Sequence, residues 1–329
     1  MIVQIGTWRP WHPCNNMKGG THELLLRLSR KPGETAMNRM GILVAFGREI
    51  FSRRTLPREP EPVPIMDGED QVAAFAKAGR IDGVMGASYL FHSAHISQTI
   101  AGCERVLDLG CGAATQLAQI AQLNPQTAFL GMDLAEEMLG NAKRHVASLG
   151  LSNVEFIHGD ISRLNGLEDA SFDGIICTMA LHHMPAEEDL RRCFQEITRV
   201  LKRDGALYLV DFGRLKSLKS VIFFAYMNRA NDPHLFSLDY ERSMRAAFLH
   251  EDFVRLAGEE LPSHVEVYST FMADLLTLLK TPDRAPLTEE QKAEVIAIKD
   301  RIENRYQSVL GDIRRLFRWG GLKGNDPFA

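Results

Sequence analysis

The segment Val106-Leu-Asp-Leu-Gly-Cys-Gly-Ala113 carries the strongest chemical signal in the chain. An apolar run ends in Asp108, Gly110 and Gly112 follow, and a helical pattern then begins. Missing side chains at a strand-to-helix turn let a ligand lie against the backbone near a helix N-terminus. The third glycine of a GxGxxG dinucleotide turn is absent, because position 115 is Thr. Asp108 would repel a diphosphate there and suits a cationic group instead. Two more acids hold comparable positions, Asp133 in Gly131-Met-Asp-Leu134 and Asp160 in His158-Gly-Asp-Ile161. Either alone reads as a helix or turn cap. Together with Asp108 they stand at the carboxyl ends of three successive strands, on one rim of a parallel sheet. A second group follows downstream: His182 and His183 after the fourth strand and Asp211 at the end of the fifth. An imidazole titrates near neutrality and can act as a general base, although two histidines before Pro185 also suit a plain helix entry.

The elements that must position these residues alternate in type. Short apolar runs at 106–109, 129–132, 154–157, 175–178 and 206–212 predict strands. Helical spacing joins Ala114, Leu117, Ala118 and Ala121, then Ala135, Met138, Leu139, Ala142 and Val146, and then Leu190, Cys193, Phe194, Ile197 and Leu201. Alternating strands and helices imply βαβ units in a doubly wound sheet. Residues 213–250 break the rhythm and are placed to cover a site at the strand ends. A helix at 251–260 and a strand near 264–268 resume it, while 271–280 fits strand or helix. Upstream, residues 1–34 read as irregular, 35–51 as a helix, and Pro57, Pro60, Pro62 and Pro64 as a stiff linker. Helices are expected at 71–79 and near 88–100. Tyr89, His92 and His95 on the latter either line the site or pack. A capping box from Thr288 to Gln291 starts a terminal helix with an apolar stripe, and Gly311 is a possible break.

Leu107-Asp108-Leu109-Gly110-Cys111-Gly112 resembles motif I of the class I S-adenosylmethionine-dependent methyltransferases, with Ala114 in place of the usual last glycine. Phe172-Asp-Gly-Ile-Ile-Cys-Thr-Met-Ala-Leu-His-His-Met-Pro185 resembles motif IV, and Arg199–Leu207 the next helix-to-strand joint. The match is closest to the ubiquinone/menaquinone-biosynthesis type of small-molecule methyltransferase and covers roughly residues 85–270. The resemblance implies a Rossmann-like α/β fold with a seven-stranded, mostly parallel sheet, and S-adenosyl-L-methionine as cofactor, leaving as S-adenosyl-L-homocysteine. It assigns Asp133 to the ribose hydroxyls and Asp160 with Ile161 to the adenine. Leu134 and Met138 would pack on the ring, and Gly110, Cys111, Gly112 and Thr178 would complete the cofactor site. The implied reaction is in-line methyl transfer to a small, apolar or aromatic acceptor, with His182, His183 and Asp211 as catalytic candidates.

Composition narrows the alternatives. Lys plus Arg is 38 against 42 Asp plus Glu, so no global positive field gathers nucleic acid. No Asn-Pro-Pro-Tyr type sequence follows the fourth strand. No apolar run of about eighteen residues is present, so no membrane span is expected. Arg9, Pro10, His12 and Pro13 stand where a signal peptide needs apolar residues. The five cysteines form no CxxC pair, and cytoplasmic free thiols are expected. Cys111 and Cys177 read as structural. Cys177 with His182 and His183 gives no convincing ligand spacing, so no metal is expected. Basic residues Arg214, Lys216 and Lys219, and Arg314, Arg315, Arg318 and Lys323, read as a solvated face or as a site for an anionic substrate. The expected organisation is an arm, helix and linker over 1–69, a methyltransferase domain over 70–280 with a 213–250 lid, and a helical extension over 281–329. A homodimer through 287–320 or 35–51 is expected. Two rival functions remain: a nucleotide-dependent oxidoreductase, and a non-catalytic cofactor-binding partner.

Overall fold

The computed structural model describes residues 33–61, 83–229 and 234–329. They fall into two compact units, one ending at Val44 and the other running from Ala45 to Ala329. Among them, the first unit contributes the opening turns of helix α1 (Gly33–Phe51). The expected irregular stretch before residue 33 and the expected helix at 71–79 lie outside the described residues.

The second unit is built on seven strands: β1 (Arg105–Leu109), β2 (Ala128–Asp133), β3 (Val154–His158), β4 (Phe172–Thr178), β5 (Leu201–Phe212), β6 (Glu266–Ser269) and β7 (Leu276–Lys280). Their order is β3-β2-β1-β4-β5-β7-β6. Strands β1 to β5 run parallel, and β7 pairs antiparallel with both β5 and β6. The helices between them are α2 (Gly86–Thr99), α3 (Thr115–Leu123), α4 (Glu136–Ser148), α5 (Glu187–Val200), α6 (Leu218–Tyr226), α7 (His234–Ala246), α8 (His250–Glu260), α9 (Glu289–Arg301) and α10 (Asn304–Trp319).

Strand side chains alternate between faces, and the core follows that period. Leu107 and Leu109, Ile175 and Cys177, and Leu207 and Leu209 join one buried cluster with Leu190, Phe194 and Ile197 of α5 and Phe253 and Leu256 of α8. The intervening positions point the other way, where the Tyr208 hydroxyl meets His92 Nδ1 of α2 at 2.8 Å. Both strand faces are therefore covered, as the near-continuous apolar runs require. The order reverses between β1 and β4, so a crevice opens at their carboxyl ends.

Three expectations are sharpened. The ambiguous stretch at 271–280 is strand only from Leu276. The sixth strand starts at Glu266, not 264. The terminal stripe breaks at Ile302 and Glu303, and α10 runs unbroken through Gly311. Ile302 is extended (φ −67°, ψ 130°), which ends α9 at Arg301, well before the glycine. A helix interior tolerates glycine at about 1 kcal/mol, so packing outweighs it here: Phe317 of α10 stacks on Phe91 of α2 at 5.5 Å and is fully buried. The Thr288–Gln291 capping box is present, with reciprocal hydrogen bonds of 2.9 and 3.2 Å.

Candidate active site

The turn after β1 shows why its residues are small. Gly110 has φ +73°, and a Cβ there would come within 2.4 Å of the Ala180 Cβ. Gly112 also sits at positive φ, and so does Ala114 at φ 56°, where a glycine would be less strained. Asp133 holds this turn. Its Oδ2 accepts the Gly112 N–H at 2.8 Å, and its Oδ1 accepts the Ala135 N–H at 2.9 Å at the start of α4. Asp160 caps its own turn, accepting the Ser162 N–H and hydroxyl, both at 2.8 Å. The bland capping reading is thus correct for both acids. It does not remove them from the site, because a carboxylate retains further acceptor positions.

A single cavity of about 600 Å³ gathers Asp108, Asp133 and Asp160. Its wall also includes Gly110, Cys111, Gly112, Leu134 and Met138. Ile161, Thr178, His182 and His183 complete the sequence-selected set that lines it. Asp108 is buried, and burial together with the neighbouring Asp133 charge pushes its pKa up to about 8. A cationic ligand group beside it would restore the carboxylate form. Burial and the same acids raise the Cys111 thiol well above its usual range, so it is no nucleophile. Cys177 is buried inside β4.

Asp211 does not line the cavity. It is fully buried behind His182, which corrects its expected place among the groups that touch substrate. Its Oδ1 accepts His182 Nδ1–H at 2.7 Å, and its Oδ2 accepts the Leu181 and His182 backbone N–H groups at 2.6 and 3.2 Å. With Nδ1 donating, the neutral ring has Nε2 as its acceptor. His183 is held differently, with its Nδ1 2.6 Å from Glu61 Oε2, while Glu61 Oε1 accepts the Ser243 hydroxyl at 2.9 Å. Burial opposes a charge on His183, but the Glu61 bond and charge outweigh it and raise the His183 pKa. Glu61 is correspondingly lowered, against its own burial.

Sequence reasoning missed Glu61, Asp239 and Tyr240, and it placed Phe236 only within the covering 213–250 segment; all four line this cavity. Glu61 lies in the proline-rich linker, which carries no motif. The linker is tied down by Arg58. Its guanidinium donates to the carbonyls of His182, Pro185 and Ala246 at 3.1, 2.7 and 2.7 Å and stacks 3.8 Å over Phe248. Asp239, Phe236 and Tyr240 belong to α7, within the 213–250 segment. Of the α2 residues, Tyr89 reaches the cavity, whereas His92 and His95 pack under α10, where burial lowers both to about 3.

Spacing along the chain predicts no metal at His182 and His183, yet with Glu61 their donor atoms lie within 4.8 Å of one another. Both Nδ1 atoms are already engaged by carboxylates. The basic residues considered for an anionic substrate pair mostly with acids: Arg314 with Asp326, Arg315 with Asp312, and Lys323 with Glu266. No helix among the described residues is long and apolar enough to cross a membrane.

The sheet order and the glycine turn are those of a Rossmann-like α/β fold. Residues 102–242 match the family model described as a methyltransferase domain. The chain is 34% identical over 129 residues to the uncharacterized methyltransferase YcgJ of Bacillus subtilis, covering 39% of this chain and 49% of that protein. It is 32% identical over 108 residues to a demethylmenaquinone methyltransferase of Bacillus cytotoxicus, covering 32% and 44%. An arsenite methyltransferase of Aquipseudomonas alcaligenes is 37% identical over 117 residues, covering 33% of each chain. The chain thus spans at most about half the length of these curated relatives. Among solved structures, a SAM-dependent methyltransferase from Aquifex aeolicus aligns at 18% identity and TM-score 0.45, over 62% of this chain and 96% of that one.

Proposed function

We propose that the protein transfers a methyl group from S-adenosyl-L-methionine to a small apolar or aromatic acceptor. The carrying observation is one continuous cavity, with Asp108, Asp133, Asp160 and the glycine turn at one end and His182, His183 and an aromatic wall at the other. Asp108 suits the donor's cationic part, Asp133 its ribose hydroxyls, and Asp160 with Ile161 its adenine, with Leu134 and Met138 against the ring. Once bound, the donor supplies an electrophilic methyl group on a sulfonium. The protein's task is to exclude water and hold the acceptor atom in line, which is worth about 7–11 kcal/mol in favourable cases. His182 Nε2 receives the acceptor's proton where one must leave, and Asp211 positions that ring.

Calorimetric titration with S-adenosylhomocysteine and NADH tests the reading. Binding of the first and not the second supports it, and the reverse returns the oxidoreductase alternative. Transfer of labelled methyl to any member of a metabolite panel removes the non-catalytic alternative. The free thiols of Cys103, Cys111, Cys177 and Cys193 support a reducing compartment, the cytoplasm. We also propose a homodimer through the terminal helices, because Ile50 and Phe51 of α1 and Trp319 of α10 are exposed apolar side chains. Light scattering that reports a monomer at high concentration argues it down.

A further inference from the structure

We infer that the acceptor is a hydroxyl on an aromatic or enolic ring, methylated on oxygen by two histidines with divided tasks. His182 takes the hydroxyl proton, and His183, as an imidazolium held by Glu61, faces the oxyanion that forms. This rests on the methyl-transfer reading above and adds the acceptor class and the role of Glu61.

The geometry separates the two rings. His182 gives its Nδ1–H to Asp211, so in the neutral ring its remaining nitrogen is the acceptor. His183 directs Nδ1 at Glu61. The two ring centroids are 4.1 Å apart, and both residues line the cavity, so one small substituent can reach both. A base beside a cation is the arrangement a weakly acidic hydroxyl needs: one group removes the proton and the other lowers the cost of the charge left behind. Phe212, Phe236 and Tyr240 supply flat apolar area on the same wall, with Phe212 5.4 Å from His182 and 5.0 Å from Tyr240.

The charges around His183 favour its cation from three elements. Glu61 comes from the linker, Asp211 from β5 and Asp239 from α7. Asp239 is raised to about 6 by burial and by Glu61, so it is largely ionised at pH 7. Arg192 and Arg242 line the same cavity and oppose a second positive charge there. Glu61 is a positioning residue, because it acts on the acceptor through His183.

The step balances. The acceptor O–H proton moves to His182 Nε2, and an oxygen lone pair forms the C–O bond. The S–CH₃ bond breaks with its electron pair returning to sulfur. The products are a methyl ether, S-adenosylhomocysteine and a protonated His182 that releases its proton to solvent.

The full-length protein is assayed with labelled S-adenosylmethionine against matched phenols, enols, amines and thiols, and its imidazole nitrogens are followed by NMR across pH. Expected results are transfer to hydroxyls, a bell-shaped kcat profile, and a His183 titration above the ordinary histidine range. E61Q should lower the His183 titration and move the alkaline limb of kcat to lower pH, with S-adenosylhomocysteine affinity unchanged. Transfer confined to amines or thiols, or no transfer to any hydroxyl despite tight S-adenosylhomocysteine binding, overturns the inference and leaves the donor site standing. An unchanged His183 titration in E61Q also overturns it, as does activity lost to a chelator and restored by Zn²⁺ or Mn²⁺, which would make the same residues a metal site. Loss of S-adenosylhomocysteine binding in the unmodified protein overturns the methyl-transfer reading itself.

Discussion

The two ends of the cavity are built on opposite plans. The donor end comes from the carboxyl ends of three consecutive strands, with Asp108, Asp133 and Asp160 each at or just beyond the end of its own strand. The acceptor end is collected from distant stretches: Glu61 from the linker, His182 from a short helical turn, Asp211 from β5 and Tyr240 from α7. A site made of local joints is fixed as soon as the sheet forms. A site made of remote pieces depends on docking of the linker and of α7, and it can change substrate without disturbing the donor end. Functional loops carried on a rigid scaffold commonly divide in this way.

Substitution at one end should spare the other, and four outcomes sharpen or break that division. The largest effect is expected for Asp211→Asn and His182→Gln, which should lower kcat about 10²- to 10⁴-fold while S-adenosylhomocysteine affinity stays near that of the parent. A matching loss of cofactor affinity would show that the two ends are coupled. Asp108→Asn should weaken S-adenosylmethionine about 10- to 100-fold, the range of about 1.5–3 kcal/mol for a charge-assisted contact. It should also raise Tm in cofactor-free protein at pH 8. The folded pKa of Asp108, about 8, lies above the unfolded value near 3.8. The folded chain therefore holds the extra proton between those values, and stability falls as pH rises through that window. Asn removes that cost, so a lower Tm would contradict the burial argument.

The third outcome is a proton count. Binding the cationic donor at pH 7 should release close to one proton from Asp108, and the release should fade by about pH 9. Calorimetry in buffers of different ionisation enthalpy measures it, and a release independent of pH would remove Asp108 from the cation site. The smallest effect is expected for Arg58→Ala. It leaves four carbonyls, those of His182, Met184, Pro185 and Ala246, without this donor and frees the linker, so acceptor KM should rise about 5- to 30-fold for about 1–2 kcal/mol lost. Cofactor affinity should not move. If it falls as well, the linker supports the donor end too.

Legibility in the sequence followed the same division. The apolar runs at 106–109 and 129–132 and the glycines after Asp108 announced the sheet and its turn, because strand period and positive-φ turns are written in neighbouring residues. The break between α9 and α10 falls at Ile302 and Glu303 and not at the possible break the sequence offers at Gly311, since propensity there is outweighed by the burial of Phe317. Glu61 carried no signal at all, as acids among prolines look like solvated linker.

The chain alone therefore determined the parallel sheet, its acidic rim and the methyltransferase type of turn, since each is set by residues a few positions apart. Only the tertiary structure decided that Asp211 stands behind His182, that His183 is paired with Glu61, and that α7 supplies the aromatic wall. Those contacts join residues 29 and 122 positions apart. They exist only once strand order and docking have closed those distances, and no local pattern of residue types encodes that.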